Sequence, residues 1–131
     1  MKCAEVEPAL SLILVSFMAM GPDEQLGYFG NEVPRLRGIP SSPPAMLLGV
    51  LQLRMWYLFD HYPSPCAQPL IDSLGEALQT IARGQLDSFD DFVSGEEWEH
   101  VRRIAREMLE AASVSPVAVP SPLPLQEWAG F

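Results

Sequence analysis

The apolar positions along this chain recur with helical spacing. Residues 45–59 are apolar on nearly every side of a helix, because only Gln52 and Arg54 among them are strongly polar. A helix with this pattern is expected to be buried. Ser42 is a suitable N-cap, and Pro63 would stop the helix because proline cannot continue the hydrogen-bond ladder. The pattern therefore predicts a central, buried helix over residues 45–59.

Two further stretches have one apolar stripe each and predict amphipathic helices over residues 69–83 and 95–112. Gly84 would end the first of them. Glu97 follows Ser94 by three residues, which is the spacing of a capping box, so Ser94 is the expected N-cap of the second. The inward-facing positions are Leu70, Ile71, Leu74, Leu78 and Ile81 in the first, and Trp98, Val101, Ala105, Met108, Leu109 and Ala112 in the second.

The remaining segments complete an all-α prediction. A first helix is expected over residues 7–20, ended by Gly21 and Pro22, and short helical turns are expected over residues 23–28 and 88–93. No stretch has the alternating pattern of a strand. We therefore predict one helical domain of four to five helices over residues 1–114. It is followed by a Pro-rich, extended tail over residues 115–131. Trp128 and Phe131 make this tail either a hydrophobic strap packed on the domain, which we expect, or a short linear motif.

The apolar run over residues 9–20 is expected to be a buried helix, not a membrane anchor. A span of the bilayer needs about 20 apolar residues. Glu5 and Glu7 precede the run, so it lacks the positive flank of a secretory signal. We expect a cytoplasmic protein.

The charge balance narrows the class of partner. The chain has 131 residues and a formal net charge of −9. Nucleic acids and anionic membranes both require a basic footprint, so neither is an expected partner. Acidity favours association with a cationic protein surface, although it also serves solubility alone. Seven of the eight basic residues are arginine, which together with abundant Ala, Leu and Pro is typical of a GC-rich bacterial genome.

The densest charge lies in residues 87–100, DSFDDFVSGEEWEH, which hold six carboxylates and no basic residue. The acid spacing does not fit a calcium-binding loop. Glu97 and His100 form one Glu-x-x-His motif, but a di-iron bundle needs two such motifs and further carboxylates. We predict no metal and no cofactor.

A catalytic set is equally hard to assemble. Asp60 and His61 are neighbours on a helix and point in different directions. Cys66 lies five residues beyond His61, and a dyad of the two is conceivable, yet no oxyanion hole or phosphate-binding loop is evident. We predict a protein that is not an enzyme, and a small enzyme using His61 and Cys66 is the second alternative.

The acidic stretch has two interpretations. Carboxylates at the start of a helix are favoured by its dipole, so the stretch could be a solvated helix entry. Alternatively it is a partner-binding face, with Trp98 as its aromatic contact and the loop arginines Arg35 and Arg37 beside it. Of the interleaved Phe89, Phe92 and Trp98 some must be core, and an exposed one would be an anchor. The acids of this face are Asp87, Asp90, Asp91, Glu96, Glu97 and Glu99.

This second interpretation leads to a functional hypothesis. A small acidic protein without catalytic residues suits the role of a bacterial immunity protein or antitoxin that covers the basic active site of a toxin enzyme. An acidic adaptor or secretion chaperone is the alternative. In each case, Arg102, Arg103 and Arg106 are expected to pair with nearby glutamates, for example Glu99 with Arg103 and Glu110 with Arg106.

Overall fold

The computed structural model describes residues 3–29, 35–36, 39–40, 42–55, 58, 60, 62, 64–120, 123–125 and 128. The side chains of residues 3–9, 35–36 and 39–40 are outside this description. The fold is all-helical, as predicted. Six α-helices have bounds within the described ranges, two of them short, where four to five helices were expected.

The N-terminal part consists of two helices and a minimal strand pair. Helix α1 spans Cys3–Met18, which begins and ends earlier than the predicted residues 7–20, and α2 spans Pro22–Tyr28. Gly21 is the N-cap of α2 and offers no side chain, so Asp23 lies in the first turn instead of capping it. Strands β1 (Arg35–Leu36) and β2 (Ile39–Pro40) pair antiparallel, a pairing that the sequence pattern did not indicate.

Helix α3 spans Pro43–Leu53 and begins as predicted. The Ser42 hydroxyl accepts a hydrogen bond from Ala45 N at 3.3 Å. The predicted single helix to residue 59 is wrong, because Arg54 leaves helical geometry at φ −95°, ψ 6°. Helix-type hydrogen bonds resume beyond it, from Leu58 N to Arg54 O and from Tyr62 N to Leu58 O. The buried apolar face of α3 is thus followed by a break that exposes Leu53.

A 3₁₀ turn at Pro65–Ala67 leads directly into α4, Gln68–Gly84. The predicted stripe is confirmed, with Ile71, Leu74, Leu78 and Ile81 at most 2% exposed. The predicted stop at Gly84 is one residue early. Gly84 remains helical, and Gln85 adopts the left-handed conformation, with φ 54°. Leu86 N then donates to Ile81 O, which satisfies a carbonyl at the end of the helix.

Helices α5 (Phe89–Ser94) and α6 (Glu96–Ala112) are separated by a single residue, Gly95. Ser88 caps α5, with its hydroxyl accepting from Asp91 N at 3.1 Å. The predicted capping box at Ser94 and Glu97 is wrong. Ser94 ends α5, and the N-cap of α6 is Gly95, which forms no side-chain cap.

The core is organised around α6, not around the apolar helix at residue 45. Among the described elements, α6 packs most extensively against α4 and α1, and it also contacts α5 and the 3₁₀ turn. Its amphipathic pattern presents a continuous apolar stripe to all of them. The fully buried members of this stripe are Trp98, Val101 and Met108, each 0% exposed.

The chain after α6 has no regular structure over residues 114–120 and contacts the helices at several points. Val117 N donates to the Ser16 hydroxyl at 3.0 Å, and Leu123 N donates to Tyr28 O at 2.7 Å. Leu123 and Leu125 are buried, and Trp128 is partly buried against the same core. The division into domain and tail remains a prediction.

None of the helices in the described ranges is long and apolar enough to cross a membrane.

Candidate functional site

The six acids of residues 87–99 lie on two consecutive helix starts. Asp90 and Asp91 occupy the first turn of α5, whereas Glu96, Glu97 and Glu99 occupy the first turn of α6. Asp87 precedes α5, and its carbonyl accepts a hydrogen bond from the Ser42 hydroxyl at 3.3 Å. Both helix dipoles favour negative charge at these positions. We call Asp87, Asp90, Asp91, Glu96, Glu97, Glu99 and the exposed Phe89 the acidic face.

The aromatic member of this face is Phe89, not Trp98. Phe89 is 46% exposed, whereas Phe92 and Trp98 are 0% exposed. Trp98 packs edge-on against Phe92 and donates its indole N–H to Leu86 O at 2.7 Å. The assignment of Trp98 as a partner contact is therefore corrected, because the core already occupies its whole surface. Phe89 contacts Phe29 with ring centroids 6.4 Å apart, which limits its motion.

A buried arginine supports the acidic face from beneath. Arg102 is 0% exposed. Its Nε donates to Gln25 Oε1 at 2.7 Å, and its Nη2 donates to the Phe92 carbonyl. The guanidinium also lies over the Phe92 ring, 4.9 Å from the centroid, which is a cation–π contact. Gln25 in turn donates to Phe17 O at 2.9 Å, so this network joins α6 to α5, α2 and α1.

Sequence reasoning expected Arg102 to pair with a nearby glutamate, which it does with Glu99, but missed the burial of Arg102. Burial lowers the pKa of the Arg102 guanidinium, and the hydrogen bond and charge of Glu99 partly offset that effect. The guanidinium remains charged at neutral pH, since an arginine pKa begins far above it. The sequence did contain a signal for this burial, because the helical spacing places Arg102 beside Trp98, Val101 and Ala105 on the apolar side of α6.

One acid of the face is paired with internal arginines. Glu99 Oε1 lies 3.2 Å from Arg102 Nη1, and Glu99 Oε2 lies 3.5 Å from Arg106 Nη1. The expected pair of Glu99 with Arg103 is wrong, as is the pair of Glu110 with Arg106. Arg106 instead donates to Glu99 and to Ala19 O.

The other five carboxylates form no ion pair with any residue of the described ranges. Asp90 and Glu96 are exposed, and Asp87, Asp91 and Glu97 are half-buried. Asp91 accepts a hydrogen bond from the Ser88 hydroxyl at 2.9 Å, so part of its role is local capping. Most of the charge of the face is therefore not compensated by ion pairs within the described ranges.

A depression of about 470 Å³ opens at the junction of α5 and α6. Its lining includes the Glu96 and Glu99 carboxylates together with Val93, His100 and Arg103. Arg103 and His100 are both exposed. The depression is consequently of mixed charge, whereas the surface at Asp90 on α5 is acidic.

The structure describes only some of the other predicted site residues. Arg37 and His61 lie outside the described residues, and for Arg35 the structure describes the backbone pairing with Pro40 alone. The predicted proximity of the loop arginines to the acids, and the His61–Cys66 dyad, therefore stay predictions. Cys66 is a free, exposed thiol in the 3₁₀ turn. Within the described part of the chain, no group of three or more His, Cys, Asp or Glu side chains is placed to hold a metal ion.

Exposed apolar surface is limited in the described residues. Leu53 and Phe89 are the large hydrophobic side chains there that count as exposed. A chaperone that captures apolar segments is expected to display a patch of several hundred Å². The alternative of a secretion chaperone accordingly gains no support from these two positions.

Comparison of the chain with family models, with curated proteins and with solved structures finds no match.

Proposed function

We propose that this protein binds a basic surface of another protein through the acidic face. The observation that carries the proposal is a set of five carboxylates at two consecutive helix starts that form no ion pair within the described ranges, together with Phe89, which is 46% exposed. Aromatic anchors are typical of protein interfaces, in which a few residues supply most of the affinity. The acids supply the steering toward a cationic partner.

The rigidity of the face supports this role. The two helix starts are held by the Arg102 network and by the single-residue junction at Gly95. A preorganised face loses less side-chain and backbone freedom when it binds. An acidic sequence placed in a disordered tail would not have this advantage.

In its concrete form, the proposal is a bacterial immunity protein or antitoxin that covers the basic active site of a toxin enzyme. Enzymes that act on phosphate backbones have cationic clefts, and carboxylates can occupy the positions of the phosphates. We further propose that the chain acts in the cytoplasm, uses no cofactor and is not itself an enzyme.

The test is capture of the partner from cells of the source organism with two variants of equal charge. Asp90→Asn with Glu96→Gln neutralises two exposed acids of the face. Glu107→Gln with Glu110→Gln neutralises two exposed acids near the other end of α6 and is the matched control. Bound proteins are quantified by mass spectrometry at about 0.15 M and about 1 M salt, where the Debye lengths are about 8 Å and about 3 Å.

We expect a basic protein that the unmodified chain and the control variant retain at low salt, and that the face variant and the high-salt wash both release. Phe89→Ala should release it as well, because the aromatic anchor is lost. Equal capture by the two charge variants, or capture that is insensitive to salt, would contradict the proposal. If the partner is a toxin, co-expression of the unmodified chain restores growth, and co-expression of the face variant does not.

A further inference from the structure

A groove of about 500 Å³ lies between α4 and the chain that follows α3, on elements that do not contribute to the acidic face. Its apolar lining is formed by Met55, Ile71 and Gly75. Met55 and Gly75 are partly buried and form the accessible floor, and Ile71, which is 0% exposed, lies beneath it. The volume is within the range of ordinary binding pockets, about 300–1,000 Å³.

Three carboxylates line this groove. Asp72 and Glu76 stand four residues apart on α4, and Asp60 belongs to the chain that follows α3. All three are exposed. None of them forms an ion pair with a residue of the described part of the chain, and no basic residue lines the groove there. The groove is thus apolar at its base and negative at its rim.

This combination restricts what can occupy it. An aliphatic side chain on the floor gains from leaving water, by about 25 cal/mol per Å² of apolar area buried. A positive group at the rim is attracted by three unpaired negative charges, and an acidic or neutral polar segment is not. Lysine and arginine combine both features, because their stems lie along apolar surface while their charged ends stay in water.

We propose that this groove is a second docking site, and that it binds a basic amphipathic peptide segment of a partner protein. One aliphatic side chain of the segment rests on Met55 and Gly75, and flanking Lys or Arg side chains approach Asp72 and Glu76. The inference is independent of the acidic face, since the two sites share no residue. If both sites engage one partner, the second contact is intramolecular and raises the overall affinity.

The probe is a fluorescein-labelled helical peptide of leucine and lysine. Its leucines are spaced alternately three and four residues apart, so that they form one face of the helix. An otherwise identical peptide with glutamate in place of lysine is its control. Binding to the full chain is measured by fluorescence anisotropy, and the site is located by chemical-shift changes in ¹⁵N NMR spectra. We expect the lysine peptide to bind, the glutamate peptide not to bind, and the largest shifts at Gly75 and its neighbours in α4.

Matched variants distinguish binding at the groove from non-specific attraction of the peptide by the negative net charge of the protein. Asp72→Asn with Glu76→Gln should weaken binding by roughly fivefold to tenfold, as expected for two exposed charge contacts. Glu107→Gln with Glu110→Gln has the same net charge and should bind as the unmodified chain does. Gly75→Met fills the floor without altering charge and should also abolish binding. A methyl group at Gly75 meets only the Met55 methyl at 3.4 Å, so Gly75→Ala is a well-folded control.

Three results would overturn the proposal. The first is equal affinity of the two charge variants. The second is a shift map confined to α5 and the start of α6, which would assign the peptide to the acidic face instead. The third is concentration-dependent dimerisation of the free protein that the Gly75→Met variant abolishes, which would show that a second copy of this chain fills the groove.

Discussion

Replacement of Arg102 by methionine tests whether the buried guanidinium holds the four helices α1, α2, α5 and α6 together. Methionine fills a similar volume, so the change removes hydrogen bonds and charge without opening a large cavity. The Gln25 amide oxygen and the Phe92 carbonyl would each lose a donor in a buried setting. A buried acceptor without a partner costs about 1–3 kcal/mol.

Two smaller contributions to the change in stability oppose each other: the lost ion pair with Glu99 destabilises the variant, and the relieved desolvation of the guanidinium stabilises it. The Glu99 carboxylate is 43% exposed, so loss of its pair with Arg102 costs at most about 1 kcal/mol. Methionine does not pay the desolvation penalty of a buried guanidinium, and this difference offsets part of the lost stability. We expect Arg102→Met to lower the free energy of unfolding by about 3 kcal/mol, which for a chain of this size lowers Tm by roughly 10 °C.

The assay is urea unfolding followed by circular dichroism, with a double-mutant cycle through Gln25. Gln25→Met removes the amide that accepts from Arg102, so the double variant should be more stable than the sum of the single changes implies, by about 1–2 kcal/mol. Arg103→Met, on the exposed side of α6, is the matched control and should change stability by less than about 0.5 kcal/mol. Buried ion pairs can be replaced by apolar side chains without loss. If Arg102→Met is as stable as the unmodified chain, the network contributes nothing to holding the helices.

Three further changes have outcomes that the structure specifies. Gly95→Ala should lower stability by about 1–3 kcal/mol in urea unfolding, because its Cβ would lie well within 3.0 Å of the Asp91 carbonyl oxygen; an unchanged midpoint would show that the junction relaxes freely. Ser88→Ala should cost about 1 kcal/mol through loss of the α5 cap, whereas Ser88→Thr, which keeps the hydroxyl, should restore most of it; equal Tm values for the two would refute the capping role. Burial raises the pKa of Tyr62 to about 12, above its unfolded value of 10.0, so its contribution is complete below pH 10 and is lost as the pH rises toward 12. Since the Tyr62 hydroxyl has no hydrogen-bond partner among the described residues, Tyr62→Phe should be no less stable at pH 7 and should fall less steeply between pH 10 and 12; parallel curves would contradict this.

Much of the secondary structure followed from local patterns, although the helix predicted over residues 45–59 breaks at Arg54. The stripe of α4, the Ser42 and Ser88 caps and the inward positions of α6 depend on residues three or four apart, whose relation is set by helix geometry. The acidity of residues 87–99 and their location at helix starts were likewise predicted from the sequence. Helix boundaries were predicted less well, because Ser94 and Gly95 both suit an N-cap and the choice between them depends on how α5 ends.

Tertiary structure decided which side chains the solvent reaches. Phe89, Phe92 and Trp98 are all aromatic and apolar in the sequence, yet the packing of the helices leaves Phe89 outside and the other two inside. The burial of Arg102 likewise depends on tertiary contacts. Burial of a charge is stable only where distant groups, here Gln25 and the Phe92 carbonyl, provide partners. Local periodicity determines the face of a helix, but the partner that covers that face is set by contacts between residues far apart in the chain.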